Sequence, residues 1–257
     1  MKHLNQKLVI KEMMCSLGNH FFLTLVRHGQ TVANRMKIIQ GQTDTKLSDI
    51  GIKQAIQLSQ HLDCNRFQLI FSSDLSRALD TAKIVVKNDE RIQTDTLLRE
   101  RCFGTIEGNS LDHLKAVAKE HGFPPKPLPE FTPEGGESLE DVSRRVVDFL
   151  NNHLLKMVSN ESNGSHILIV SHGGVIRQIM KYFKNDLNCD FNGLNPNIIT
   201  PNTSVNEFKL FYDNNHLISA ECLNLHDIKH LIGECKTLAL NEEQINDPKT
   251  SGQYEAL

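Results

Sequence analysis

The 257-residue chain has no run of about 18 apolar residues, the length a membrane-spanning helix requires, so no span is expected. It also lacks a C-x-x-C pair. Cys15, Cys64, Cys102, Cys189, Cys222 and Cys235 are scattered, which excludes a disulfide scaffold or a zinc module and reads as reduced thiols in a cytoplasmic protein. Charge of one sign is missing too. With 28 Lys+Arg against 31 Asp+Glu the formal charge is -3, a field too weak to recruit nucleic acid or an acidic membrane, and neither is expected as a partner. An anionic ligand must therefore be held by a local cluster of cations. Internal repeats and low-complexity blocks are absent. The first twenty residues have neither the long apolar core of a secretory signal nor the Arg- and Ser-rich composition of a mitochondrial one. What is plentiful is histidine, at 12 residues.

Strand-like and helix-like segments alternate. FFLTLV (21–26) reads as a buried strand running into a turn. Ser48 can cap a helix with Ile52, Ala55, Ile56, Leu58 and Leu62 on one face. FQLIFSS (67–73) is a second strand, followed by a helix over 74–88, a weaker strand from Ile92 to Leu97 and a helix from Leu111 to Glu120. After the Pro-rich loop 121–138, a long helix is predicted from Leu139 to about Val158. HILIVSH (166–172) is apolar throughout its centre, the pattern of a strand covered on both faces in a parallel sheet. A helix from Val175 to Phe183 and strands Val205–Phe211 and Leu217–Leu223 complete the pattern. The expected fold is α/β, with three α/β/α layers and a mostly parallel central sheet. Residues 1–20 read as an N-terminal extension, 21–226 as the domain, and 227–257 as a polar, mobile tail. Leu4, Leu8, Val9 and Met13 give the extension one apolar helical face, suited to docking on the surface or to anchoring at a membrane or partner.

In such sheets ligands bind beyond the carboxyl ends of the strands. Those ends carry Arg27-His28-Gly29, Ser72-Ser73-Asp74 with Arg77, Arg99-Glu100-Arg101, and Ser171-His172-Gly173-Gly174. The set suits phosphoryl transfer. A neutral imidazole with one nitrogen fixed as donor is a nucleophile through the other, arginines offer planar forks to phosphate oxygens, and a second, protonated histidine adds charge. Glu100, with a pKa raised by burial, could protonate the leaving oxygen and then activate water. Helix capping explains at least two of Ser72, Ser73 and Asp74, Asn34 could also be a cap, and Arg101 reads as a structural partner. His113, His121, His226 and His230 show no metal-ligand spacing, so neither a metal nor another cofactor is expected.

Together the segments LTLVRHGQT, FSSDLSRA, LLRERCFGTIEG and VSHGG resemble the histidine phosphatase (phosphoglycerate mutase-like) superfamily. FTPEGGESLEDV, TPNTSVNEF and CLNLHDIKHL look most like its TIGAR-type fructose-2,6-bisphosphatases. The resemblance implies a phosphorylated nucleophile at His28 and a phosphate pocket of Arg27, Arg77, His172 and Gly173. It also implies Asn34 as a further phosphate ligand, Glu100 as acid/base, and substrate contact at Gln40 and Gly41. Phe103 stands where many relatives have Tyr, and the segment by which mutases hold phosphoglycerate is not recognisable in 104–137. The implied activity is metal-independent hydrolysis of a small sugar bisphosphate by a monomer, fructose-2,6-bisphosphate to fructose-6-phosphate. A phosphoglycerate mutase or 2,3-bisphosphoglycerate phosphatase is one alternative. A partner-binding regulatory protein with a vestigial pocket is another.

Overall fold

FFLTLV and HILIV are too uniformly apolar to present a wet face, and they lie side by side at the centre of the sheet. The computed structural model describes residues 18–123 and 131–246. Among these, six strands, β1 (Asn19–Arg27), β2 (Phe67–Ser72), β3 (Ile92–Thr94), β4 (His166–Ser171), β5 (Val205–Asp213) and β6 (His216–Asp227), follow the order β3-β2-β4-β1-β5-β6. The first four in that order are mutually parallel, and β5 and β6 are antiparallel additions. No helix among the described residues is long and apolar enough to cross a membrane.

Alternation along the strands builds the three layers. Leu23, Leu25, Ile167, Ile169, Leu69 and Phe71 join one core with helices Leu139–Asp148 and Gly173–Asn185. Val26, Leu168, Val170 and Ile70 join the other, against helices Asp49–His61 and Ser76–Val85. Burying a Leu or Ile side chain is worth about 1.5–3 kcal/mol, so the doubly covered strands are the most strongly held part of the molecule. Ser48 caps Asp49–His61 as its position predicts, its Oγ accepting the Gly51 amide at 3.1 Å. Ser110 and Ser138 start helices Leu111–Glu120 and Leu139–Asp148 in the same way.

Three expectations are corrected. The weak strand stops at Thr94, because the Asp95 carboxylate accepts the Leu97 amide at 2.8 Å and turns the chain into a 3-10 turn, Thr96–Leu98. The long helix is not uniform: a π-helical segment, Phe149–Leu154, joins Leu139–Asp148 to Leu155–Val158. Its wider turn leaves Phe149, Leu150, Leu154 and Leu155 all fully buried. The polar tail expected from 227 instead contains helix Gly233–Asn246. Cys235 and Ala239 on its buried face pack with Ile228 and Leu231, which precede it, against Ile50 of helix Asp49–His61. The N-terminal apolar face and residues 247–257 lie outside the described residues.

Candidate active site

The β1–β4 register pairs Arg27 with Ser171, so the chain leaves both strands at one edge and sets His28 beside His172, ring centroids 5.1 Å apart. Past His28 the backbone runs against helix Asp49–His61. A Cβ on Gly29 would lie 2.5 Å from Gly51 O, and one on Gly51 would lie 2.0 Å from Gln30 O. Neither glycine can carry a side chain unless the facing backbone, Gly51 in one case and Gln30 in the other, moves away.

His28 is 3 % exposed. Its Nδ1 lies 2.7 Å from Gly29 O; a carbonyl only accepts, so the proton is on Nδ1 and Nε2 carries the lone pair. Burial, followed by Arg77 and Arg27, holds the imidazole pKa well below its ordinary value. Neutral, with one nitrogen fixed as donor, the ring can attack phosphorus through Nε2.

His172 is fully buried and lies behind the cavity wall. The expectation of a protonated ring is not met. Burial, with Arg77 and His28 close by, pushes its pKa well below the usual value. Ser73 Oγ accepts the Leu75 amide at 3.3 Å and pairs with His172 Nε2 at 2.8 Å; in the tautomer where Ser73 donates that bond, the ring proton is on Nδ1. That nitrogen is buried with no partner among the described residues, so in that tautomer it remains a hydrogen-bond donor for a phosphate oxygen. Capping does not explain the serines or Asp74: Leu75 begins helix Ser76–Val85 with no side-chain cap. Ser72 Oγ donates to Ser73 O at 2.8 Å, and Asp74 pairs with Arg99, Nε to Oδ1 at 2.8 Å.

Arg77 leaves the first turn of that helix and is 1 % exposed, with Nη2 on Gly41 O at 2.7 Å and Nη1 on Thr43 O at 3.0 Å. Its Nε has no partner among the described residues. Arg27 reaches across to Thr200 O at 2.9 Å. Glu100 is held by backbone amides, Arg101 N at 2.8 Å and Gly174 N at 3.0 Å, so it is not a surface ion pair. A Cβ on Gly174 would lie 2.4 Å from Glu100 Oε1, which is the space that the second glycine of His-Gly-Gly keeps open.

These groups border a cavity of about 330 Å³. Arg27, His28, Asn34, Gln40, Gly41, Arg77, Glu100 and Gly173 all line it. Asn34 is also a cap: its Oδ1 accepts the Thr31 amide at 3.0 Å in a capping box, with its side chain on the wall. Gln40 joins the same knot by accepting Thr31 Oγ1 at 2.9 Å. Four further cations, Arg35, Lys37, Arg101 and Arg177, were not anticipated on the wall, nor were Gln178 and Leu238. Arg101 is a structural partner as expected, donating to Glu137 O and Phe131 O at 2.7 and 2.6 Å and lying over Phe103, yet it faces the cavity too. The Arg-Glu-Arg spacing held that signal. Arg177, one helical turn beyond Gly173, was legible from the helix phase.

A cavity with an imidazole and guanidiniums at its base and one carboxylate at their side suits transfer of a phosphoryl group. The chain belongs to the histidine phosphatase superfamily (branch 1), whose profile matches residues 23–222. It is thereby a metal-independent hydrolase. It is 37% identical over 226 residues to the probable fructose-2,6-bisphosphatase TIGAR A of Danio rerio, covering 73% of this chain and 87% of that one. To the fructose-2,6-bisphosphatase TIGAR of Mus musculus it is 32% identical, over 83% of this chain and 97% of that one. Among solved structures, a mycobacterial glucosyl-3-phosphoglycerate phosphatase is similar at 26% identity and a TM-score of 0.65, covering 80% of this chain and 99% of the other. The chain's function is that of a histidine phosphatase.

Proposed function

We propose that the chain hydrolyses the 2-phosphate of fructose-2,6-bisphosphate, releasing fructose-6-phosphate and inorganic phosphate by way of a phosphohistidine at His28. The observation that carries this reading is the fixed, neutral His28 ring on the wall of a cavity that holds six basic side chains against one carboxylate. Arg27, Arg77 and the Nδ1–H of His172 hold the equatorial oxygens of the transferred group. His28 Nε2 forms the bond to phosphorus as the bond to the sugar oxygen breaks, and Glu100 delivers a proton to that oxygen. Glu100 then takes a proton from water, which attacks phosphorus and returns the electron pair to His28 Nε2. Asn34 and Gly173 add donors beside the phosphate, and Gln40 and Gly41 border the sugar.

A bisphosphate is favoured by the number of cations: the cavity wall carries Arg35, Lys37, Arg101 and Arg177 besides Arg27 and Arg77. Each phosphate brings about −1.5 to −2 charge, so two phosphates complement this wall better than one. The likeness to TIGAR proteins supports fructose-2,6-bisphosphate, and the likeness to glucosyl-3-phosphoglycerate phosphatases supports a phosphoglycerate ester as the second reading.

Acid quench after mixing with radiolabelled fructose-2,6-bisphosphate should trap one acid-labile phosphate per chain, absent in His28→Ala. Turnover retained by His28→Ala would overturn the mechanism. A higher kcat/KM for 2,3-bisphosphoglycerate or glucosyl-3-phosphoglycerate would move the substrate and leave the mechanism standing.

A further inference from the structure

The loop Thr200-Pro201-Asn202-Thr203-Ser204 takes no part in the chemistry just described, yet three of its groups grip the Arg27-His28 dipeptide. Thr200 O accepts Arg27 Nη1 at 2.9 Å, Thr203 N donates to Arg27 O at 3.0 Å, and Asn202 Nδ2 donates to His28 O at 2.7 Å. On the other side of the same peptide unit, Gly29 N donates to Thr81 Oγ1 at 2.9 Å. Thr81 is itself fixed by donating to Arg77 O at 2.7 Å. The His28–Gly29 peptide is thus pinned at both its carbonyl and its amide. Gly29 O, on the next peptide unit, is the acceptor that holds His28 Nδ1. Displacement of the His28–Gly29 peptide would move the Gly29 Cα that bears this carbonyl, and with it the acceptor.

The loop bears the marks of a shape held at a cost. Thr203 is β-branched yet sits at a φ of 58°, and His226, which braces the loop, sits at 56°. His226 Nε2 donates to Asn195 O at 3.1 Å, so its Nδ1 accepts from Thr200 Oγ1 at 3.0 Å. Thr203 Oγ1 spends its hydrogen on Asn202 O at 2.7 Å, so His230 Nε2 must donate to it at 3.1 Å. Asn202 Oδ1 is buried with no partner among the described residues. A side chain selected for stability alone would not leave a buried acceptor unpaired, whereas one selected for its donor must.

From this geometry we infer that Asn202 and Thr81 are positioning residues for the reaction. By clamping the His28–Gly29 peptide from opposite sides they keep Gly29 O on His28 Nδ1, and so hold Nε2 in line with phosphorus. The inference rests on His28 being the nucleophile. Asn202→Leu keeps the side-chain shape and exchanges one unpaired buried acceptor, Asn202 Oδ1, for another, His28 O, so its melting temperature should stay within about 3 °C of the parent.

The experiment is rapid-quench phosphoenzyme formation and steady-state turnover with radiolabelled p-nitrophenyl phosphate. It compares the parent, Asn202→Leu, Thr81→Val and His28→Ala. For Asn202→Leu and Thr81→Val the rate of labelling and kcat should fall between about ten- and a hundredfold, with KM within threefold and the final label still near one per chain. His226→Phe should slow labelling in the same way, and His226→Gln, which can keep both hydrogen bonds, should restore it. A labelling rate within twofold of the parent in both clamp variants overturns the inference. So does a smaller labelled fraction that forms at the parental rate, since that marks a fold defect. If Asn202→Leu does not fold, Thr81→Val alone decides. Labelling or turnover surviving in His28→Ala would instead remove the mechanism on which the clamp depends.

Discussion

The base of the cavity and its rim are built on different principles. At the base, Arg27–Gly29, Ser73–Arg77 and His172–Gly174 follow directly from sheet strands, so their positions are set by strand register and by backbone packed on backbone. At the rim, Ile38, Ile39, Phe103, Leu139 and Leu238 come from short helices and loops, with cations set between them. One carboxylate ties much of that rim together: Glu107 accepts the amides of Gln42 and Phe103 at 2.9 Å and of Thr43 at 2.8 Å. The base can therefore specify a reaction while the rim varies to choose a substrate.

The comparison is tested most severely at Glu100. Glu100→Gln keeps an acceptor oxygen for only one of the Gly174 and Arg101 amides and cannot shuttle a proton, so kcat should fall on the order of 10²–10⁴-fold with KM little changed. A phosphate ester with a strongly acidic leaving group, which needs no proton, should recover most of the loss in the labelling step. A uniform loss across leaving groups would deny Glu100 the role of acid.

The support beneath the base should show in acid stability. Burial lowers the pKa of His226 and of His230 from 6.5 to about 4. In the unfolded chain each protonates near pH 6.5, so the stabilisation is complete above that pH and is lost as pH falls towards about 4. The shift corresponds to about 3 kcal/mol for each histidine. Urea titrations from pH 7 to pH 4 should reveal this slope, and it should flatten in the His226→Gln, His230→Gln double variant. An unchanged slope would mean that neither ring is held neutral.

The smallest effect belongs to the rim. Arg101→Gln should raise KM for fructose-2,6-bisphosphate about tenfold, with kcat near parental and with KM for p-nitrophenyl phosphate unmoved, since the latter has no second phosphate. Equal changes with both substrates would place Arg101 among the groups that serve the reaction centre.

The same division explains what the sequence reveals. The apolar runs at 21–26 and 166–170 announce central strands, and the residues that follow them are the base of the cavity. Rim and support were harder to read. Arg101 looks like a surface partner of Glu100 until its backbone bonds to Glu137 and Phe131, about thirty residues downstream, are known. Ser73 is a plausible cap by position, and only the adjacency of β2 and β4 turns it towards His172. Helix Gly233–Asn246 is hard to read in the sequence because its average polarity hides the buried pair Cys235 and Ala239, a four-residue spacing on one helical face. His226 and His230 show no metal-ligand spacing in the sequence, and the contacts by which they hold a loop exist only in the fold.

The position of β1 in the sheet has a consequence for how the molecule comes into being. Among the described residues the strand that delivers His28 is first in sequence, yet its sheet partners are β4, which begins at His166, and β5, which ends at Asp213. During synthesis it must wait, apolar and unpaired, for roughly a hundred and forty residues before its first neighbour emerges, and for some forty more before its second. Such distant pairing makes closure of the centre of the sheet a slow, late event. In that interval FFLTLV is the segment most in need of protection from association with other chains.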